Sequence, residues 1–135
     1  MRVLVIQTAF IGDVILSLPL IQVLKKLKPD YEIDYLCIPK TREVLENNPY
    51  LNNIIVFDKH DKGKGVSGMF KIISLVRKNK YDIVISIQRF LRTAIIAKKS
   101  KAAKTISYNN STLSFMYSDK VDYLQKHEIL RVLDL

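Results

Sequence analysis

The chain has 135 residues and a mass of 15.6 kDa, the size of one ordinary domain, and 48% hydrophobic against 26% charged residues supports a packed core and excludes wholesale disorder. Four glycines and four prolines exclude collagen-like or linker-dominated chains, and the one cysteine, Cys37, excludes an intramolecular disulfide. Twenty-two Lys and Arg against 13 acidic residues give a formal charge of +9, which attracts anions (nucleic acid, phosphosugars or a membrane surface) without choosing among them.

The opening apolar run, Val3-Leu4-Val5-Ile6, meets Gln7 and Thr8 too soon to be a secretory signal and reads as a strand buried on both faces. Residues 13–28 follow with Val14, Leu18, Ile21, Leu24 and Leu27 at helical spacing. Pro19 is expected to kink or restart that helix, and Pro29-Asp30 to stop it. The greasiest stretch, residues 14–24, is interrupted by Ser17, Pro19 and Gln22 and is too short to span a bilayer, so a soluble protein of a reducing compartment is expected. A second strand is predicted over 32–38, a short helix over 41–47 and a third strand over 53–58.

A loop with Gly63, Gly65 and Gly68 leads into a helix over 69–79. Residues 82–87 form the clearest strand after the first, followed by a helix over 89–99. Weaker strands are expected at 104–108 and 120–123, and a final helix over 126–135. Strands alternating with helices, and strands rich in β-branched residues, predict an α/β chain: a Rossmann-like parallel sheet with helices on both faces. The cations fall in several separate clusters, which read as solvated faces and helix ends.

In such a sheet, ligands bind beyond the carboxyl ends of the strands, so the residues just after each strand are the candidates. After the first strand, Gln7 to Asp13 contain only Gly12 of a dinucleotide fingerprint, and Gly63-Lys64-Gly65 lacks the ending of a phosphate-binding P-loop. Asp13, beside Gly12 at a helix start, reads either as a first-turn carboxylate favoured by the helix dipole or as a general base facing a ligand. Arg89, Arg92 and Thr93 follow the strand at 82–87, where guanidinium groups hold carboxylate or phosphate oxygens, or simply face solvent. His60 and His127 lack the companions of a metal site, and the tyrosines lack the spacing of a nucleic-acid stacking motif.

The ordered set of Met1 through Leu20 with Gly12-Asp13-Val14 and Pro19, Leu45 to Leu51, Val56-Phe57-Asp58-Lys59 with the Gly63-Lys64-Gly65 loop, Tyr81 to Ile85, Gln88 through Thr93, and His127-Glu128 with Arg131 resembles the N-terminal domain of the bacterial lipopolysaccharide heptosyltransferases. The resemblance implies the N-terminal half of a GT-B glycosyltransferase, with residues 1–135 as an acceptor-binding domain cut before the donor-binding domain. It implies an inverting transfer of heptose from ADP-heptose to the lipopolysaccharide inner core, with Asp13 as general base. Thr8, Gly12, Lys62, Lys64, Arg89 and Arg92 would then meet a Kdo-bearing lipid A acceptor. No cofactor or metal is implied; ADP-heptose would bind the missing domain, leaving this chain alone inactive. A cytoplasmic location peripheral to the anionic inner membrane is expected, with no nucleic-acid partner, and apolar helix faces left bare at the end predict self-association. The alternative is a stand-alone, non-catalytic module of the same fold that binds an anionic ligand.

Overall fold

The computed structural model of the chain describes residues 1–58 and 65–135. Among them, six strands form one sheet: β1 (Arg2–Ile6), β2 (Glu32–Cys37), β3 (Asn53–Val56), β4 (Ile83–Ser86), β5 (Lys104–Tyr108) and β6 (Asp119–Val121). They lie in the order β3-β2-β1-β4-β5-β6 with every pairing parallel. The connecting helices are α1 (Ile11–Leu27), α2 (Arg42–Leu45), α3 (Gly65–Asn79), α4 (Leu91–Lys99) and α5 (Glu128–Leu133).

The apolar run of β1 serves two cores, because successive side chains point to opposite faces. Val3 and Val5 pack with Val14 and Ile21 of α1, Leu45 of α2 and Val132 of α5. Leu4 and Ile6 pack with Ile72 and Val76 of α3 and Ala94 and Ile96 of α4. All four β1 side chains are fully buried, each stabilising the fold by about 1.5–3 kcal/mol. Helices α1 and α2 connect β1, β2 and β3 as the chain moves one way across the sheet, and α3 and α4 serve the strands laid down the other way. A right-handed crossover therefore puts the two sets on opposite faces. The reversal falls between β1 and β4, adjacent strands whose following helices diverge.

Several boundaries depart from those expected. Helix α1 runs through Pro19 as one element and does not restart. The second short helix is a 3-10 turn at Pro39–Thr41 followed by one α-helical turn. Helix α3 begins at Gly65 rather than near residue 69, and a Cβ at Gly68 would meet only the Phe57 ring, at 3.8 Å, so this glycine does not force a loop. Helix α4 begins two residues late, leaving Arg89 in the preceding loop, and α5 is confined to Glu128–Leu133.

At the amino end of the sheet, Glu32 and Asp34, which share one strand face, both pair with Arg2, at 3.4 and 3.3 Å. Asp34 is buried and also accepts the Tyr81 hydroxyl proton. Burial and that neighbouring carboxylate push the Tyr81 phenol well above its ordinary pKa. These acids hold strands together and are not grouped for a metal. No helix among the described residues is long and apolar enough to cross a membrane.

Candidate functional site

The loops after β1 and β4 meet at the reversal of strand order, and one hydrogen-bonded pair joins them. Gln88 Oε1 accepts the Thr8 backbone N–H at 2.8 Å and also the Thr8 hydroxyl. Both side chains are buried. Gln7 turns back to accept the Ala9 N–H at 3.2 Å. The two loops are thus fixed at the edge where an open parallel sheet takes its ligands.

The helices that leave these loops start alike. Each has a phenylalanine at its N-cap, Phe10 for α1 and Phe90 for α4, with no side-chain acceptor for the first-turn N–H groups. In each, the third helical residue reaches back: Asp13 Oδ2 accepts the Phe10 N–H at 3.2 Å, and Thr93 donates to the Phe90 carbonyl at 2.8 Å. Phe10 cannot return the bond to Asp13, so only half of a capping box exists. Phe10 and Phe90 are 80% and 57% exposed, an arrangement that caps neither helix well and leaves large apolar side chains at the mouth of the site.

A cavity of about 370 Å³ opens here, lined on one side by Asp13, Gln88 and Arg89 and on the other by Tyr108, Tyr123 and Arg131. The Tyr123 ring meets two guanidinium groups, with the Cζ atoms of Arg89 and Arg131 each 4.2 Å from its centroid. Tyr108 meets the Tyr123 ring edge-on at 5.1 Å and donates to the Arg131 carbonyl at 3.1 Å. Burial pushes the Tyr108 phenol up to about 12, against an opposing pull from Arg131, so it acts as a donor and not as a base. Arg131 is further held by Glu128. The cavity, which Glu128 also lines, therefore joins the Asp13 carboxylate at the start of α1 to two cations on an aromatic ring, one of them paired with Glu128, a combination suited to a hydroxyl-bearing anion.

Of the residues singled out in the sequence, Asp13 and Arg89 line this cavity, while Thr8 and Arg92 line a neighbouring one of about 310 Å³ that shares Phe90 with it. Gly12 lies exposed in the first turn of α1, where an added Cβ would meet no atom within 4 Å. Lys62 and Lys64 lie outside the described residues. Gln88, Tyr108, Tyr123 and Arg131 were not picked out as site residues. Tyr108 at the end of β5, Tyr123 just after β6 and Arg131 on α5 come from separate stretches of chain, so sequence spacing does not bring them together. His127 caps α5, its Nδ1 accepting the Ile129 N–H at 3.3 Å. Among the described residues no three His, Cys, Asp or Glu side chains converge as metal ligands.

No family model matches the chain. It is 34% identical over 101 residues to lipopolysaccharide heptosyltransferase 3 of Escherichia coli, spanning 73% of this chain and 29% of that protein. Lipopolysaccharide heptosyltransferase 1 of Campylobacter coli is 26% identical over 133 residues, spanning 90% of this chain and 38% of the relative. Among solved structures, the glycosyl transferase family 9 protein of Veillonella parvula superposes with a TM-score of 0.85 at 28% identity, over 98% of this chain and 39% of that one. The E. coli heptosyltransferase WaaC with ADP gives a TM-score of 0.85 at 17% identity over 100% of this chain and 46% of its own, a likeness of fold. The chain thus spans about three-tenths to two-fifths of the length of the curated relatives it matches. Over that part it resembles the lipopolysaccharide heptosyltransferases, and its fold is that of the N-terminal half of a GT-B glycosyltransferase.

Proposed function

We propose that this chain is the acceptor-side part of an inverting heptosyltransferase acting on the lipopolysaccharide inner core, with Asp13 as its general base. The observation that carries the reading is the place of Asp13: a carboxylate in the first turn of α1, lining the cavity at the strand-order reversal, in a chain whose relatives are heptosyltransferases. Its Oδ2 takes the Phe10 N–H, and no hydrogen bond engages Oδ1 among the described residues, which leaves an oxygen for a substrate proton.

In this mechanism an acceptor sugar hydroxyl lies against Asp13. Its oxygen attacks the anomeric carbon of ADP-heptose from the face opposite the nucleotide. The new oxygen–carbon bond forms as the bond from carbon to the diphosphate oxygen breaks, ADP leaves with that electron pair, and Asp13 takes the hydroxyl proton. The configuration at the anomeric carbon inverts. Arg89 and Arg92, with Lys62 and Lys64, meet the carboxylates and phosphates of a Kdo-bearing lipid A acceptor, which also contacts Thr8 in the neighbouring cavity and the Gly12 backbone beside Asp13. ADP-heptose is held by the part of the relatives' length that this chain does not span.

Amide shifts of isotope-labelled chain, titrated separately with a soluble Kdo–phosphosugar and with ADP, test the binding half of this reading. Shifts at Gly12, Asp13 and Arg92 with the acceptor and none with ADP are expected. Shifts with ADP alone would instead make the chain a nucleotide-binding module. The chemical half is tested in a chimera joining residues 1–135 to the remaining length of a heptosyltransferase relative. There Asp13→Asn is expected to lower turnover by about 10²–10⁴-fold, and unchanged turnover would remove Asp13 from the mechanism.

A further inference from the structure

One charged group at the strand-reversal cavity takes no part in the transfer proposed above. Glu128 lines that cavity together with Asp13. The two carboxylates come from neighbouring helices, each in a first turn, Asp13 in α1 and Glu128 in α5. Val132 of α5 is buried in the core that also holds Val14 of α1, which keeps the two helices packed together. Arg131 follows Glu128 by three residues, close to one helical turn, and pairs with Glu128 Oε2 through Nη2. The other terminal nitrogen of Arg131, Nη1, faces the carbonyls of Leu124 at 3.4 Å and Lys126 at 3.5 Å. Both terminal nitrogens are thus engaged within the chain, and the Arg131 side chain is only 13% exposed. Arg131 therefore holds Glu128 in place, while Arg89 is the cavity cation with no ion pair among the described residues.

The Glu128–Arg131 pair carries no net charge, so the carboxylate does not repel an anionic ligand. Its Oε1 takes no hydrogen bond among the described residues, and the side chain keeps 29% exposure. One cavity is therefore lined by two carboxylates, each with an oxygen left for a donor: Oδ1 of Asp13 and Oε1 of Glu128. A sugar, with hydroxyls on adjacent carbons, is the class of ligand that engages both at once. We propose that Glu128 is a specificity-determining residue, which accepts a hydrogen bond from a second hydroxyl of the acceptor sugar and so fixes which hydroxyl faces Asp13. A hydroxyl donating to an ionised carboxylate makes one of the stronger hydrogen bonds available to a site. A site built around such a bond rejects the analogue that lacks the hydroxyl. Glu128 is already engaged by Arg131, whereas Asp13 forms no ion pair among the described residues, so the transferred proton goes to Asp13. This role rests on the acceptor reading given above, and the two fail in different ways.

The test pairs variants with ligand analogues in amide-shift titrations of the 135-residue chain. The probes are the soluble Kdo–phosphosugar and a set of analogues, each lacking one Kdo hydroxyl. Glu128→Ala should weaken binding of the complete sugar by about 10–100-fold. It should leave unchanged the binding of one analogue, the one that lacks the hydroxyl Glu128 takes. Asp13→Ala should be silent toward a different analogue. Glu128→Gln, which keeps a neutral acceptor oxygen, should recover part of the loss; if Glu128→Ala loses the dispersed amide spectrum of the fold, Glu128→Gln carries the same comparison. A merely structural role for Glu128, holding Arg131, would weaken every analogue equally, and that result overturns the proposal, as does unchanged affinity for the complete sugar. Two variants silent toward the same analogue would put both carboxylates on one hydroxyl and also overturn it. Failure of the comparison at Glu128 alone leaves Asp13 as the base, whereas a parent chain that binds none of the probes overturns the acceptor reading and this role with it.

Discussion

Arg89 and Arg131 both stand over the ring of Tyr123, each guanidinium carbon 4.2 Å from the ring centroid. Like charges on one ring repel, so the arrangement persists because the ring quadrupole attracts each cation and Glu128 compensates Arg131. Arg89 is solvent-exposed and makes no ion pair among the described residues, so the Tyr123 ring is the contact that aims it at the cavity. A double-mutant cycle with Arg89→Ala and Tyr123→Leu should give a coupling of about 0.5–1 kcal/mol in urea denaturation. Tyr123→Phe, which keeps the ring face, should retain most of it. Additive losses in the cycle would show that the two residues are merely near one another.

The bridge between Gln88 and Thr8 has a different character, since it is buried and joins two loops 80 residues apart in sequence. Gln88→Leu keeps the volume and removes the acceptor of a buried backbone N–H. A loss of about 1–3 kcal/mol is expected. Gln88→Glu keeps an acceptor oxygen but buries a charge, so it should also destabilise, increasingly as pH rises through the carboxylate range. Urea midpoints measured for both variants across that range decide the matter; a Gln88→Leu protein as stable as the parent would mean that the loops are held elsewhere.

How much of this was legible in the sequence follows from how local each feature is. Strands β1 and β4 announce themselves because a strand buried on both faces must be apolar at successive positions, as Val3 to Ile6 and Ile83 to Ile85 are. The edge strand β6, three residues with no fully buried side chain, has almost no pattern to read. Asp13 was legible because its neighbours Gly12 and Val14 and its place after β1 are all local. The braced pair of arginines was not, since Arg89, Tyr123 and Arg131 come from three stretches that only the strand order brings together. That the basic ends of α3 and α4 are neighbours is not legible either, for the same reason. Clusters at residues 77–80 and 98–101 look like two ordinary helix ends until α3 and α4 are known to lie side by side.

Gly12 offers a test that separates ligand contact from structural need. It sits in the first turn of α1, and a Cβ there would meet nothing within 4 Å. Gly12→Ala should therefore leave the fold intact and raise stability by up to about 1 kcal/mol, the helix-propensity difference. The same methyl group would stand where an acceptor approaches the backbone beside Asp13, so acceptor affinity in the amide-shift titration should fall. A variant that is more stable yet binds less marks the glycine as kept for the ligand. One that binds equally well takes Gly12 out of the site.

Alkaline pH should unfold this protein earlier than its lysines alone would dictate. Burial raises the Tyr108 phenol to about 12 and pushes Tyr35 and Tyr81 higher still, the last reinforced by the hydrogen bond to Asp34. In the unfolded chain these phenols ionise near pH 10. Between that value and the folded pKa the native state holds more protons than the unfolded one, so stability declines as pH rises; the contribution of neutral phenols is complete below pH 10 and is lost as the folded pKa is passed. Urea midpoints should be flat through the phenol's neutral range and fall steeply above about pH 10. Tyr108→Phe removes one titrating group and one hydrogen bond to the Arg131 carbonyl. It should start about 1 kcal/mol less stable at neutral pH and then decline more gently, the two curves converging as pH rises. Parallel curves would mean that Tyr108 ionises in the fold as readily as in the unfolded chain.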